Sequence, residues 1–171
     1  MPRASKEPLD TLNLAAAGSV VEREFPLAGF PRLLDRLATP DGVALVRLSL
    51  HSAGGVPTGD LAVRAEARLT CQRCLRPMRQ ALESNSQLAF VEREDVAVPA
   101  GHEAIAGDPR RVDLTALVED ELLLSLPLIP KHGDGEECAA REPQLTSEKI
   151  AAPPELEMRR PFAGLKDLLK H

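Results

Sequence analysis

Between positions 43 and 91 apolar and polar residues alternate. Ala44, Val46, Leu48 and Leu50 are apolar, while Arg47 and Ser49 face the other way. Leu61, Val63, Ala65, Ala67 and Leu69 form a second apolar row, opposed by Arg64, Glu66 and Arg68. A two-residue period with one wet face predicts antiparallel strands. Met78, Leu82, Leu88 and Phe90 keep even spacing and predict the returning strand over 78–91. Val20 and Val21 mark another strand over 19–27. His51 to Asp60 holds three glycines and Pro57, and reads as a loop between strands.

Two stretches change to a helical period. Phe30, Leu33, Leu34 and Leu37 fall at i, i+3, i+4 and i+7 and predict a short helix over 29–37. Pro31 is tolerated in its first turn, and Pro40 lies beyond its end. Leu114 to Leu126 is the longer helix. Asp113 can cap its first free amides, and Pro127 stops it. Leu123, Leu124 and Leu126 widen its apolar arc, so it is expected to be mostly buried. The stretch between, 96–111, contains Pro99, Gly101, Gly107 and Pro109 and predicts an irregular connection. The pattern gives an α+β fold: a small antiparallel, curled or barrel-like sheet covered by one or two helices. The expected organisation is a flexible N-terminus over 1–13, a core over 14–130, a flexible Pro-rich arm over 131–158, and an amphipathic helix over 159–171. Phe162, Leu165, Leu168 and Leu169 line one face of that last helix, suited to docking on its own domain or on a partner.

Charge and composition narrow the function. The net charge of −5 excludes attachment to nucleic acid by bulk charge, although a local basic patch remains open. With four Phe and no Tyr or Trp, a multi-aromatic platform for stacking bases is not expected. No run of about 18 apolar residues is present, so no membrane span is predicted. The first residues carry no apolar stretch of the secretory kind, which predicts a cytoplasmic protein.

Three cysteines make a disulfide framework a poor reading, and two of them form Cys71-Gln-Arg-Cys74. A CxxC turn lets two thiolates point at one ion and supplies half of a tetrahedral zinc site. His132 and Cys138, with Gly133 and Gly135 between them, could supply the other half. The same spacing serves thiol redox chemistry when it opens a helix after a strand, but here it lies between antiparallel strands. Two reduced cysteines in a β-turn are the plain alternative. Around the turn, Arg64, Arg68, Arg73, Arg76 and Arg79 against Glu66 leave +4 within residues 61–79. The planar guanidinium fork suits phosphate, so this face is a candidate RNA contact. Alternatively, these arginines pair with Glu119 and Asp120 on the helix. Glu119, Asp120 and Glu121 have no histidine or nucleophile at a suggestive spacing, and structural ion pairing is the expected role. No phosphate-binding glycine loop and no serine-nucleophile motif is present, so no catalytic residue is assigned.

Three segments together carry a resemblance. Leu69-Thr-Cys-Gln-Arg-Cys-Leu75 closes a strand. Asp113-Leu-Thr-Ala-Leu-Val-Glu-Asp-Glu-Leu-Leu-Leu-Ser-Leu-Pro127 is followed by Pro130-Lys-His132 and a cysteine. Arg160-Pro-Phe-Ala-Gly-Leu165 lies near the end. In their order and spacing these resemble the YceD family, the large ribosomal RNA subunit accumulation proteins, over roughly residues 9–171. The resemblance implies a bacterial, non-enzymatic ribosome biogenesis factor supporting synthesis, processing or accumulation of large-subunit (23S) ribosomal RNA. Its implied partners are that RNA or an assembly intermediate, or else a ribosomal or assembly protein, with neither DNA nor a membrane. Many family members carry extra cysteines after the Leu-Pro motif; here Cys138 is the one present. Two other functions stay open: a zinc-stabilised protein-interaction module without RNA contact, and a thiol oxidoreductase using Cys71 and Cys74.

Overall fold

A computed structural model describes residues 7–133 and Cys138. Its elements in chain order are α1 (Thr11–Ala16), β1 (Val20–Pro26), a 3-10 turn (Leu27–Gly29), α2 (Pro31–Leu34), β2 (Leu37–Thr39), β3 (Val43–Ala53), β4 (Val56–Thr70), β5 (Pro77–Val91), β6 (Glu103–Ala106) and α3 (Leu114–Leu124). The strands form one mostly antiparallel sheet in the order β1-β3-β4-β5-β6, with β2 paired to one end of β4. β6 joins β5 in parallel. The sheet ends at β1 and β6 and stays open, which corrects the barrel-like alternative.

The alternation of 43–91 builds the centre of this sheet. Ala44, Val46, Leu48, Leu50, Leu61, Val63, Ala67, Leu69, Leu82, Leu88 and Phe90 are buried on one face. α1 and α3 pack on that face, and Phe30 and Leu33 fill the same core. The opposite face is wet, and carries Arg47, Arg64, Glu66, Arg68, Arg79 and Glu83. No helix among the described residues is long and apolar enough to cross a membrane.

Several expectations need correction. The loop over 51–60 shrinks to Gly54 and Gly55, whose φ angles of 59° and 83° turn the chain in two residues. Two left-handed residues match the twist of the flanking strands, so β3 and β4 pair down to Ala53–Val56. The helix over 29–37 keeps a single turn, because Leu37 enters β2 beside Leu69. Sheet pairing here overrides a local helical period. The stretch 96–111 contains β6, held by its pairing with Leu88 to Val91. Part of 1–13 is tied down rather than loose. Leu9 pairs with Val112, and the Thr11 hydroxyl donates to the Pro109 carbonyl at 2.6 Å. The Asp10 side chain caps α1 by accepting from the Asn13 amide at 3.1 Å.

α3 starts where expected: the Asp113 carboxylate accepts from the amides of Thr115 (2.9 Å) and Ala116 (3.2 Å). Its burial differs from the apolar arc. Leu124 is 79% exposed, whereas Glu119 and Glu121 are buried. Glu119 accepts from the amides of Arg32 (2.7 Å) and Leu33 (3.3 Å) and from Arg32 Nε (3.0 Å). Asp120 pairs with the same guanidinium at 2.7 Å. The acidic partners expected for the sheet arginines therefore belong to α2. Glu121 accepts from the Ser84 hydroxyl on β5. The arm beyond Cys138 and the helix expected over 159–171, with Phe162, Leu165, Leu168 and Leu169, lie outside the described residues.

Candidate metal centre

Residues 71–76 turn the chain from β4 into β5. The Cys71 amide donates to the Arg76 carbonyl and the Leu75 amide to the Cys71 carbonyl, both at 2.9 Å. This tight knuckle puts Leu75 at φ 58°, with its side chain 72% exposed. A branched side chain in the left-handed region is strained by about 1–2 kcal/mol. Leu75→Gly is therefore expected to stabilise the fold by about 1 kcal/mol, read as a higher denaturation midpoint. A lower midpoint would show that the Leu75 side chain matters to packing.

The second half of the centre comes from the segment after α3. The Gln72 amide donates to the Pro130 carbonyl at 2.8 Å, which fastens this segment to the turn. His132 follows two residues later. Cys71, Cys74 and Cys138 are all buried, and Met78 packs against them. Cys71 Sγ lies 3.8 Å from Cys138 Sγ, and Cys74 Sγ lies 3.4 Å from His132 Nδ1. The sulfurs are too far apart for a disulfide, whose bond is about 2.05 Å, and all three cysteines are free. All four donor atoms lie within 4.8 Å of one another. Three buried soft sulfurs and one half-buried imidazole fit a metal ion.

The electrostatics point the same way. Burial pushes the Cys71 thiol up, but the amides of Cys74, His132 and Arg73 and the His132 ring outweigh it and bring it down to about 5. Cys74 is lowered, chiefly by the Arg76 amide and against burial. His132 is raised by its contact with the Cys71 sulfur. Cys138 is raised, first by burial and then by the two neighbouring sulfurs. Binding a metal to Cys138 would reverse that last shift, because a bound cation favours the thiolate.

The sign of the pH effect follows. Between about 5 and the ordinary value of 9.0, the unfolded chain holds the Cys71 proton and the folded chain does not. That contribution to stability is fully present above 9 and disappears as pH falls toward 5. His132 opposes it: its contribution is full below the ordinary value of 6.5 and disappears as pH rises through the raised value. Metal-free protein is expected to show one thiolate, by ultraviolet absorbance, that persists down to about pH 5. Loss of all thiolate signal by pH 7 would contradict this.

The five arginines do not form one cluster. Arg68 and Arg79 stand directly opposite each other across β4 and β5. Arg79 lies 3.6 Å from Glu66. Arg73 and Arg76 ride on the knuckle. Arg64 sits farther along β4, between Leu45 and Glu83, in a groove with Glu22, Glu24 and Arg47. The turn contains no helix of the kind that opens on a redox CxxC. Sequence reading did not find the Gln72–Pro130 hydrogen bond, the strained Leu75, or the role of Met78 against the cysteines. Pro127 and Pro130 after the α3 leucines were the available signal that the chain turns back here.

Comparison with known proteins covers the part of the chain that contains this arrangement. The family model described as large ribosomal RNA subunit accumulation protein YceD matches residues 59–169, well over half of the chain. A protein of that name from Haemophilus influenzae is 36% identical over 112 residues. The aligned stretch spans 62% of this chain and 62% of that protein, just under two thirds of either. No solved structure matches. The matched region contains the knuckle, α3 and all four candidate ligands, and by it the chain belongs to the YceD family.

Proposed function

We propose that this chain is a non-enzymatic, cytoplasmic factor supporting the accumulation of large-subunit (23S) ribosomal RNA. It touches that RNA, or a large-subunit assembly intermediate, through a basic turn organised by zinc. The observation that carries the reading is one hairpin end holding both a four-donor site and a local excess of arginine. Zinc with bonds of about 2.3 Å to sulfur and 2.0–2.1 Å to nitrogen needs tetrahedral edges of about 3.8 Å and 3.5–3.6 Å. The Cys71–Cys138 and Cys74–His132 separations of 3.8 Å and 3.4 Å are close to both. When bound, zinc would supply a structural cross-link between Cys71, Cys74, His132 and Cys138. The knuckle and the segment after α3 would then present Arg68, Arg73, Arg76 and Arg79 as a firm surface.

Ultraviolet cross-linking of the tagged protein in cells is expected to enrich large-subunit ribosomal RNA at discrete positions. In vitro, Arg73→Glu with Arg76→Glu is expected to weaken binding to a large-subunit RNA fragment about tenfold or more. Fewer phosphate contacts should also make the fall of affinity with salt shallower. Unchanged affinity and slope would remove the arginine face from the reading. Background cross-linking would favour a zinc-stabilised protein-interaction module instead. That second reading is supported by Leu124, Leu128 and Ile129, which stand exposed after and along the end of α3.

A further inference from the structure

The cross-strand pair Arg68 and Arg79 has an unusual setting. Like charges directly opposite in an antiparallel pair repel and destabilise the sheet. Glu66 lies 3.6 Å from Arg79, and among the described residues the Arg68 side chain has no ion pair. Beside the two arginines lies a groove of about 420 Å³, lined by Arg68, Pro77, Met78, Arg79, His132 and Gly133. That volume is at the lower end of the range for small-ligand sites, about 300–1,000 Å³. Two of its walls are shared with the candidate metal centre. His132 is one of the four donors, and Met78 packs on the cysteines.

We infer that this groove is a phosphate subsite, which holds one phosphodiester group of an RNA strand between Arg68 and Arg79. Filling the cysteine–histidine centre with metal strengthens it. This rests on the RNA and zinc readings above. An anion between the guanidiniums converts their repulsion into two charge-assisted, fork-shaped contacts. Metal binding fixes His132 against the knuckle and so sets the far wall of the groove before RNA arrives. Ordering that wall in advance lowers the entropy that RNA binding must offset. The coupling is reciprocal: RNA must raise metal affinity by the same factor.

The test uses the full chain and a labelled single-stranded RNA followed by fluorescence anisotropy. Arg68→Gln with Arg79→Gln is expected to lower affinity about tenfold or more and to reduce the salt slope by about 0.7, the share of one phosphate on a single strand. Zinc content should stay unchanged, and the melting temperature should not fall, because the repulsion between the two charges is removed. Zinc-loaded wild type is expected to bind several-fold tighter than metal-free protein, a difference that shrinks in the double variant. Should metal-free protein fail to fold, chelator competition on the loaded protein reads the reciprocal effect: RNA should slow zinc loss in the wild type and not in the double variant. A double variant that binds like wild type, while Arg73→Glu weakens binding, overturns the subsite and leaves the RNA reading standing. Equal zinc retention with and without RNA overturns the coupling. Binding of inorganic phosphate without any RNA binding, or no binding at all, overturns this inference together with the RNA reading.

Discussion

Cys71→Ser is expected to yield protein that carries no bound zinc and unfolds about 2–5 kcal/mol more easily. The wild type should carry about one zinc per chain, bound by three thiolates and one imidazole. The serine hydroxyl is too weakly acidic to replace the thiolate, and Cys71 is the donor best prepared to ionise, with its thiol down to about 5. The range quoted is that for loss of a native cross-link from a small domain. Isolated zinc fingers gain more, about 10–16 kcal/mol, because without metal they do not fold. Here the β4–β5 register from Thr70–Pro77 to Thr58–Ala89 and the core behind it are built from contacts other than those of the four donors. The loss should therefore be partial and local, centred on the knuckle and on residues 130–133. Metal analysis and thermal unfolding measure both quantities. Chelation of wild type should reproduce the shift, and added zinc should reverse it in the wild type alone. Stoichiometric zinc in Cys71→Ser would exclude this residue as a ligand.

Glu119→Ala is expected to lower stability by about 2–4 kcal/mol, with little effect on metal content. Glu119 is only 7% exposed and accepts from two backbone amides at the start of α2 as well as from Arg32 Nε. Truncation leaves those amides without acceptors, and each unsatisfied buried group costs about 1–3 kcal/mol. The Arg32 ion pairs add little, because that guanidinium is more than half exposed. Glu119→Gln keeps one acceptor oxygen and should lose only about 1 kcal/mol. Denaturant unfolding of the pair checks this. Equal loss for alanine and glutamine would mean that the charge, not the capping of α2, carries the effect.

Much of the scaffold was legible in one dimension. Leu61 to Leu69 and Ala44 to Leu50 repeat every two residues, so their faces could be assigned without knowing their neighbours. Asp113 before the Leu114 helix is a local capping signal, and it operates as such. What failed was decided by contacts distant in sequence. β6 exists because Leu88 to Val91 offer it an edge. The helix over 29–37 stops because Leu37 pairs with Leu69. Glu119 and Glu121 are buried on α3 because Arg32, Leu33 and Ser84 meet them there, a reversal that helical periodicity cannot express.

The candidate site divides along the same line. The donors themselves, Cys71, Cys74, His132 and Cys138, are legible from residue chemistry and the CxxC spacing. So is the excess of arginine around them. Their convergence within 4.8 Å is tertiary: it depends on α3 returning the chain so that Pro130 can accept from the Gln72 amide. The confrontation of Arg68 with Arg79 is likewise a matter of register, set by the length of the knuckle between β4 and β5. Period and residue chemistry are local properties, which the sequence by itself determined. Register and convergence are sums over long-range contacts, and only the folded chain decides those.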